Sequence, residues 1–110
     1  MEQKGLYKSF IKCKWPQQIG NLASTLARLS SLVVTSDYDE TSRKLLREVT
    51  LLIEWSVPNL PEDLHNDLAF MQRELYYWYK IPLEAEIRKL LSLRCRIMSD
   101  HMLEVSGLIP

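Results

Sequence analysis

The chain has 110 residues, 46% of them hydrophobic, and its 14 basic and 14 acidic side chains balance to a formal net charge of zero. This length fits one domain that can bury a core without disulfide bonds to hold it together. The composition excludes a disordered chain, a collagen and a disulfide scaffold. The absence of a basic excess also argues against a general binder of polyanions.

Residues 1–15 form an N-terminal arm, which we distinguish from a helical bundle domain at residues 16–110. Lysines alternate with apolar residues in this arm, as in a strand, but Leu6, Phe10 and Cys13 would also share one side of a short helix. We expect an ordered arm or short helix that covers one end of the bundle. Its lysines could contact RNA, an acidic partner or an anionic membrane, but a solvated tail is the favoured interpretation, because these lysines belong to no defined groove or motif.

The sequence favours a cytoplasmic location. No apolar run reaches the roughly 18 residues that a membrane span needs, and the N-terminus has no continuous apolar segment typical of a secretory signal. Cys13 and Cys95 are far apart and match no metal-binding or redox motif, as is typical of free thiols in a reducing compartment. We therefore expect no metal and no cofactor.

The first two helices of the predicted bundle are separated by a polar turn. The first spans about Gln17–Val34, after Pro16, and its apolar residues recur at helical spacing beside a strip of small residues, namely Gly20, Ala23, Ala27 and Ser30. Such a strip lets another helix approach closely. The second helix spans about Asp39–Ser56, and Ser36, Asp37 and Asp39 are the candidates to cap its N-terminus.

Prolines delimit the last two helices. The third spans about Pro61–Tyr79 and ends before Pro82, because the residue that precedes a proline avoids helical geometry. The fourth spans about Leu83–Val105, after which Gly107 can adopt the left-handed conformation and Leu108 can fold back on the last turn. Four helices with short connections predict an all-α fold, an up-down-up-down four-helix bundle with a short N-terminal arm or helix.

Several large apolar residues do not fit the apolar strips of these helices: Leu51, Trp55, Phe70 and Tyr77. Trp78 fits the strip of the third helix but belongs to a run of four consecutive aromatic residues at positions 76–79, and we group it with them. A helix that is apolar on several sides is usually buried on more than one of them. These side chains would either pack under the arm and at one end of the bundle, or form an interface, where Trp and Tyr are favoured. A symmetric homodimer is the commonest form of such an interface, and another protein is the alternative partner.

Two polar residues interrupt the apolar strip of the fourth helix. Arg94 and His101 are seven residues apart on one helical face, within the strip formed by Leu83, Ile87, Leu90, Leu91, Ile97, Met98, Met102 and Val105. A half-buried Arg must be paired, because an uncompensated charge away from water is costly. Glu48, Glu54 and Glu74 are the available carboxylates.

The same two residues have a catalytic interpretation. Arg94 and His101 resemble the site of the four-helix HEPN ribonucleases, which carry an Arg and a His on one helix and unite two such sites across a homodimer. Arg96 also fits the spacing but projects from the opposite side of the helix. The resemblance implies that Arg94 binds the scissile phosphate and that His101 acts as general acid or base on the ribose hydroxyl, without a metal.

The sequence thus leaves two hypotheses. The first is a protein–protein interaction or regulatory module that forms a homodimer and has no enzymatic activity, with Leu51, Trp55, Phe70, Tyr77 and Trp78 as the candidate interface. The alternative is a metal-independent ribonuclease of HEPN type that uses Arg94 and His101, the only case in which we expect nucleic acid as a partner.

Overall fold

Prolines and polar turns set most of the helix ends in this chain. The computed structural model describes the backbone of residues 2–107 and the side chains of residues 5–107, and all regular structure in that range is helical. The α-helices are α1 (Glu2–Ile11), α2 (Trp15–Leu32), α3 (Asp39–Ser56), α4 (His65–Lys80) and α5 (Ala85–Ser106). Three short 3₁₀ helices, Ser36–Tyr38, Val57–Asn59 and Glu62–Leu64, lie between them. The all-α prediction is confirmed.

The predicted helix ends agree with the structure to within a few residues, but the predicted cap does not form. The bounds of α3 match the prediction, while the third predicted helix begins as a 3₁₀ turn before α4. No side-chain hydrogen bond caps α3: Tyr38 occupies the N-cap position, and the carboxylate of Asp39, the first residue of the helix, binds Arg88 of α5. Gly107 has φ = 71° and adopts the expected left-handed cap, whereas Leu108 lies outside the described residues.

The N-terminal arm contains a helix that packs on α3. Phe10 is buried, and the rings of Tyr7 and Phe10 lie 5.1 and 6.2 Å from the ring of Trp55. The buried side chain of Gln18 in α2 donates a hydrogen bond of 3.1 Å to the backbone oxygen of Phe10. Contacts from two other helices therefore hold α1 in place.

Helix α2 packs between α3 and α5, and its closest partner is α5. The small-residue strip of α2 lies at the contact with α5. Ser99 Oγ donates to the Ala23 oxygen at 2.7 Å, and Ser30 Oγ donates to the Ser92 oxygen at 2.9 Å. The side chains of Ser30 and Ser99 are both buried, and a hydroxyl left without a partner there would cost roughly 1–3 kcal/mol.

Helix α4 packs most closely on α3. One buried cluster links the helices and includes Leu26, Leu46, Ile53, Leu75 and Leu91. The beginning of α5 is fixed separately, because Arg88 binds the Asp39 carboxylate with two nitrogens and donates to the Val33 oxygen at 3.3 Å. Among the helices of residues 2–107, none combines the length and apolar character needed to cross a membrane.

Candidate functional site

Ion pairs between α4 and α5 occupy the side of the molecule where those two helices face each other. Arg94 Nε donates to Glu74 Oε2 at 2.8 Å, and Arg94 Nη2 donates to Glu74 Oε1 at 2.8 Å. This two-point geometry makes the strongest kind of carboxylate pair. The sequence offered Arg94 three carboxylates, and the fold brings Glu74 to it.

Trp78 is a further hydrogen-bond donor to Glu74. Its indole Nε1 donates to Glu74 Oε2 at 3.0 Å, so the carboxylate accepts three hydrogen bonds. The hydrogen bonds from Arg94 hold the pKa of Glu74 below its usual range, and the Glu74 carboxylate in turn raises the pKa of Arg94. Both groups are therefore charged throughout the physiological range.

His101 pairs with α4 two helical turns farther along α5. Its Nε2 lies 3.1 Å from Asp67 Oδ2, and both side chains are nearly half exposed. Residue numbers rise along α4 from Asp67 to Glu74 while they fall along α5 from His101 to Arg94, so the two helices are antiparallel. We refer to Glu74–Arg94 and Asp67–His101 as the ion-paired seam.

The seam places the two residues of the catalytic interpretation on one face. The Arg94 side chain is 38% exposed and that of His101 is 44% exposed, but each already has a carboxylate partner. Glu74 occupies Nε and Nη2 of Arg94, so a phosphate would have to bind through Nη1 or displace Glu74. Arg96 is exposed on another side of α5, where it borders a shallow groove with Ser30 and Ser92.

A set of exposed apolar side chains lies on the solvent side of the seam. Each is 46–67% exposed, and we call the set the outer face: Phe70, Tyr77, Leu90, Leu93 and Ile97. On α4, Phe70 and Tyr77 are each three residues after a seam carboxylate. On α5, Leu90 is four residues before Arg94 and Ile97 is four residues before His101. These spacings place all four on the same side of the seam as immediate neighbours of its charges.

The remaining residues of the sequence-predicted interface lie elsewhere. Trp78 is 6% exposed and belongs to the core, and Trp55 is half-buried under α1. Leu51 lines a cavity of about 240 Å³ between α3 and α4, together with Arg47, Tyr76 and Tyr79. The structure therefore brings Phe70 and Tyr77 together at one surface and separates them from Leu51 and Trp55. The buried ring of Trp78 lies 5.9 Å from the ring of Tyr77.

Sequence reasoning missed the aliphatic half of the outer face. The sequence pattern places Leu90 and Ile97 in the apolar strip of the fourth helix, but the buried strip runs through Leu91, Cys95, Met98 and Met102. The apolar residues of α5 thus form two strips on different sides of the helix. The spacing of 90, 93 and 97 is itself helical and is the signal that could have shown a second apolar strip.

The site contains no evident cofactor or metal ligands within the described part of the chain. No group of three or more His, Cys, Asp or Glu side chains there could hold a metal ion. Burial raises the pKa of the Cys95 thiol to about 12, so this thiol next to Arg94 is not a nucleophile at neutral pH. Comparison with protein-family models, with curated proteins and with solved structures finds no match to this chain.

Proposed function

We propose that α2 to α5 form an up-down-up-down four-helix bundle that presents the outer face to another helical protein. Close packing of α4 on α3, of α3 on α2 and of α2 on α5 supports this arrangement. The ion-paired seam joins the two remaining neighbours, α4 and α5, and would close the ring. The short connections between the helices are those of antiparallel neighbours.

We assign this chain the role of a protein–protein interaction module without catalytic activity, and the outer face carries the assignment. Five large apolar side chains on one surface are 46–67% exposed. Isolated apolar residues are common on protein surfaces, but a contiguous patch usually marks a binding surface. Aromatic anchors such as Phe70 and Tyr77 supply most of the energy in such interfaces.

The ion-paired seam fits this role as a polar element beneath an apolar surface. The charges of Arg94 and Glu74 are paired with each other, so a partner that covered the outer face would not leave them uncompensated. A cytoplasmic location agrees with the thiols of Cys13 and Cys95, which form no disulfide with each other.

A photo-crosslinking amino acid at position 77 tests the module in cells. We expect it to form a defined adduct with a protein that mass spectrometry can identify, while the same amino acid at the exposed position of Arg28 on α2 forms none. The adduct should disappear when Phe70→Glu is added, because that charge would have to be desolvated in the interface. Equal, diffuse labelling from both positions would contradict the proposal.

A second candidate is the HEPN-like ribonuclease, favoured by one observation: Arg94 and His101 lie on one partly exposed face. The test is metal-free cleavage of single-stranded RNA by the wild type and by His101→Ala. A loss of activity in His101→Ala, with an unchanged helical spectrum, would support catalysis. Equal rates, or no cleavage by either protein, would leave the seam with a structural role.

A further inference from the structure

We infer that the partner of the outer face is the outer face of a second copy of this chain, with the two-fold axis parallel to α4 and α5. This inference rests on the proposed function, since it identifies the partner of the same surface. Its basis is the self-complementarity of the face in shape and in charge.

The first observation concerns heights along the two antiparallel helices. The ion pairs place Asp67 level with His101 and Glu74 level with Arg94. At about 1.5 Å of rise per residue, Phe70 then lies roughly 4.5 Å above the first pair and Ile97 roughly 6 Å above it. The same spacing applies to Tyr77 and Leu90 above the second pair. Each aromatic ring on α4 thus lies at nearly the height of an aliphatic side chain on α5.

A two-fold axis parallel to the helices preserves these heights and exchanges the helices. It would place Phe70 against Ile97 of the second copy and Tyr77 against Leu90 of the second copy. Each contact would pair a flat aromatic ring with a branched aliphatic side chain, and it would occur twice because the interface is isologous. The four contacting helices would form an intermolecular bundle.

The second observation is the charge at the two edges of the face. On α5, exposed Lys89 and Arg96 lie beyond Leu93, farther round the helix. Nearer the centre of the outer face, Arg73 and Lys80 are exposed along the α4 edge, whereas Glu86 and Asp100 are exposed along the α5 edge. No salt bridge involves these four side chains within residues 5–107, although Arg73 lies over the ring of Phe70. An axis parallel to the helices brings the basic edge of one copy to the acidic edge of the other.

The charges also argue against the other symmetric arrangement. An axis perpendicular to the helices would stack α4 on α4 and α5 on α5 of the second copy. Arg73, near the middle of the face, would then approach Arg73 of the second copy, and the acidic edges would meet each other. Like charges in opposition are unfavourable at an interface, so the parallel axis is the better solution.

The outer face is large enough to supply most of the area that a stable interface buries. Phe and Tyr bury roughly 150–250 Å² each, so the exposed parts of the outer face supply on the order of 500 Å² per copy. A standard interface buries roughly 800 Å² per partner. The charged edges would provide the rest.

Sedimentation equilibrium of the purified full chain is the first test. We expect a dimer at micromolar concentration, and a monomer for Phe70→Glu. Tyr76→Glu is the matched control, because Tyr76 is exposed on the same helix but borders the α3–α4 cavity, and it should remain dimeric. A wild-type chain that is monomeric at 100-fold higher concentration would overturn the inference.

Disulfide trapping tests the axis, in a Cys13→Ser background that removes the half-exposed native thiol. Under mild oxidation, a mixture of Phe70→Cys and Ile97→Cys chains should yield a crosslink between the two variants. Neither variant alone should yield a crosslink efficiently, because the two copies of one position lie diagonally opposite each other in the intermolecular bundle. Efficient Phe70→Cys homodimers would overturn the arrangement.

A charge exchange gives an independent readout. Lys80→Glu and Glu86→Lys should each weaken dimerisation about two- to fivefold, as for other exposed pairs, and the double variant should restore it. Failure to restore would contradict the pairing of the edges. If the chain is monomeric but the crosslinker at position 77 captures a different protein, the proposed function stands and this inference is wrong.

Discussion

Arg94 of α5 and Glu74 of α4 form a two-point ion pair between helices that otherwise approach each other little. Both hydrogen bonds measure 2.8 Å, whereas α4 and α5 are not among the helix pairs whose backbones pack closely. This side of the molecule is therefore held by side chains that reach across it. The pair also sets the relative heights of the aromatic and aliphatic residues on the outer face.

Loss of the Glu74 carboxylate should destabilise the fold. In Glu74→Ala the partly buried guanidinium of Arg94 and the indole nitrogen of Trp78 both lose their acceptor, so we expect the free energy of unfolding to fall by about 1–3 kcal/mol. Chemical denaturation at a fixed protein concentration measures this. Glu40→Ala is the control, since its pair with Lys44 is exposed at 3.4 Å and should contribute less than about 0.5 kcal/mol. Equal losses in the two variants would contradict the prediction.

Stability should decrease in acid because of two carboxylates. The hydrogen bonds from Arg88 lower the pKa of Asp39, and those from Arg94 lower the pKa of Glu74. A carboxyl whose pKa is lower in the folded state stabilises the protein above its ordinary pKa of about 4, and this contribution is lost as the pH falls through the folded pKa. Urea denaturation between pH 7 and pH 3 measures it. Asp39→Asn with Glu74→Gln should show a shallower decrease, and an unchanged slope would exclude these groups as its cause.

Local sequence signals are enough to predict where the helices begin and end, but not which side chains form contacts between them. The bounds of α3 follow from a polar turn before it and Pro58 after it. The cap could not be predicted, because the Asp39 carboxylate can accept either from its own helix or from Arg88, and only the fold brings Arg88 near. Arg94 poses the same problem, since any of three glutamates could neutralise it.

The outer face shows why the candidate site could be predicted only in part. Phe70 and Tyr77 stood out because they do not fit the buried strip of α4. Leu90 and Ile97 did not stand out, since each lies next to a buried or half-buried apolar position on α5 and blends with the core strip in a periodic pattern. Which of two neighbouring strips faces the core depends on where α2 and α4 pack, and periodicity contains no such information.

The contact between α1 and α3 should depend on Phe10. Phe10→Ala removes a buried ring that packs against Trp55, so we expect a loss of about 3–5 kcal/mol in the free energy of unfolding. Trp55 should become more exposed to water, which iodide quenching of tryptophan fluorescence would report. Ile11→Ala is the control, because Ile11 is exposed in the same helix and should change neither quantity much. Unchanged quenching in Phe10→Ala would show that α1 does not cover Trp55.

The two thiols should differ strongly in reactivity. Cys13 is partly exposed, whereas Cys95 is fully buried and its pKa is raised to about 12 by that burial. Because the thiolate is the reactive form, a chromogenic disulfide reagent at pH 8 should modify one thiol per native chain rapidly and the second only after denaturant is added. Cys13→Ser should remove the fast phase and leave the slow one. Rapid modification of Cys95 in native Cys13→Ser would mean that the α2–α5 core opens readily, contrary to the tight packing of its serine contacts.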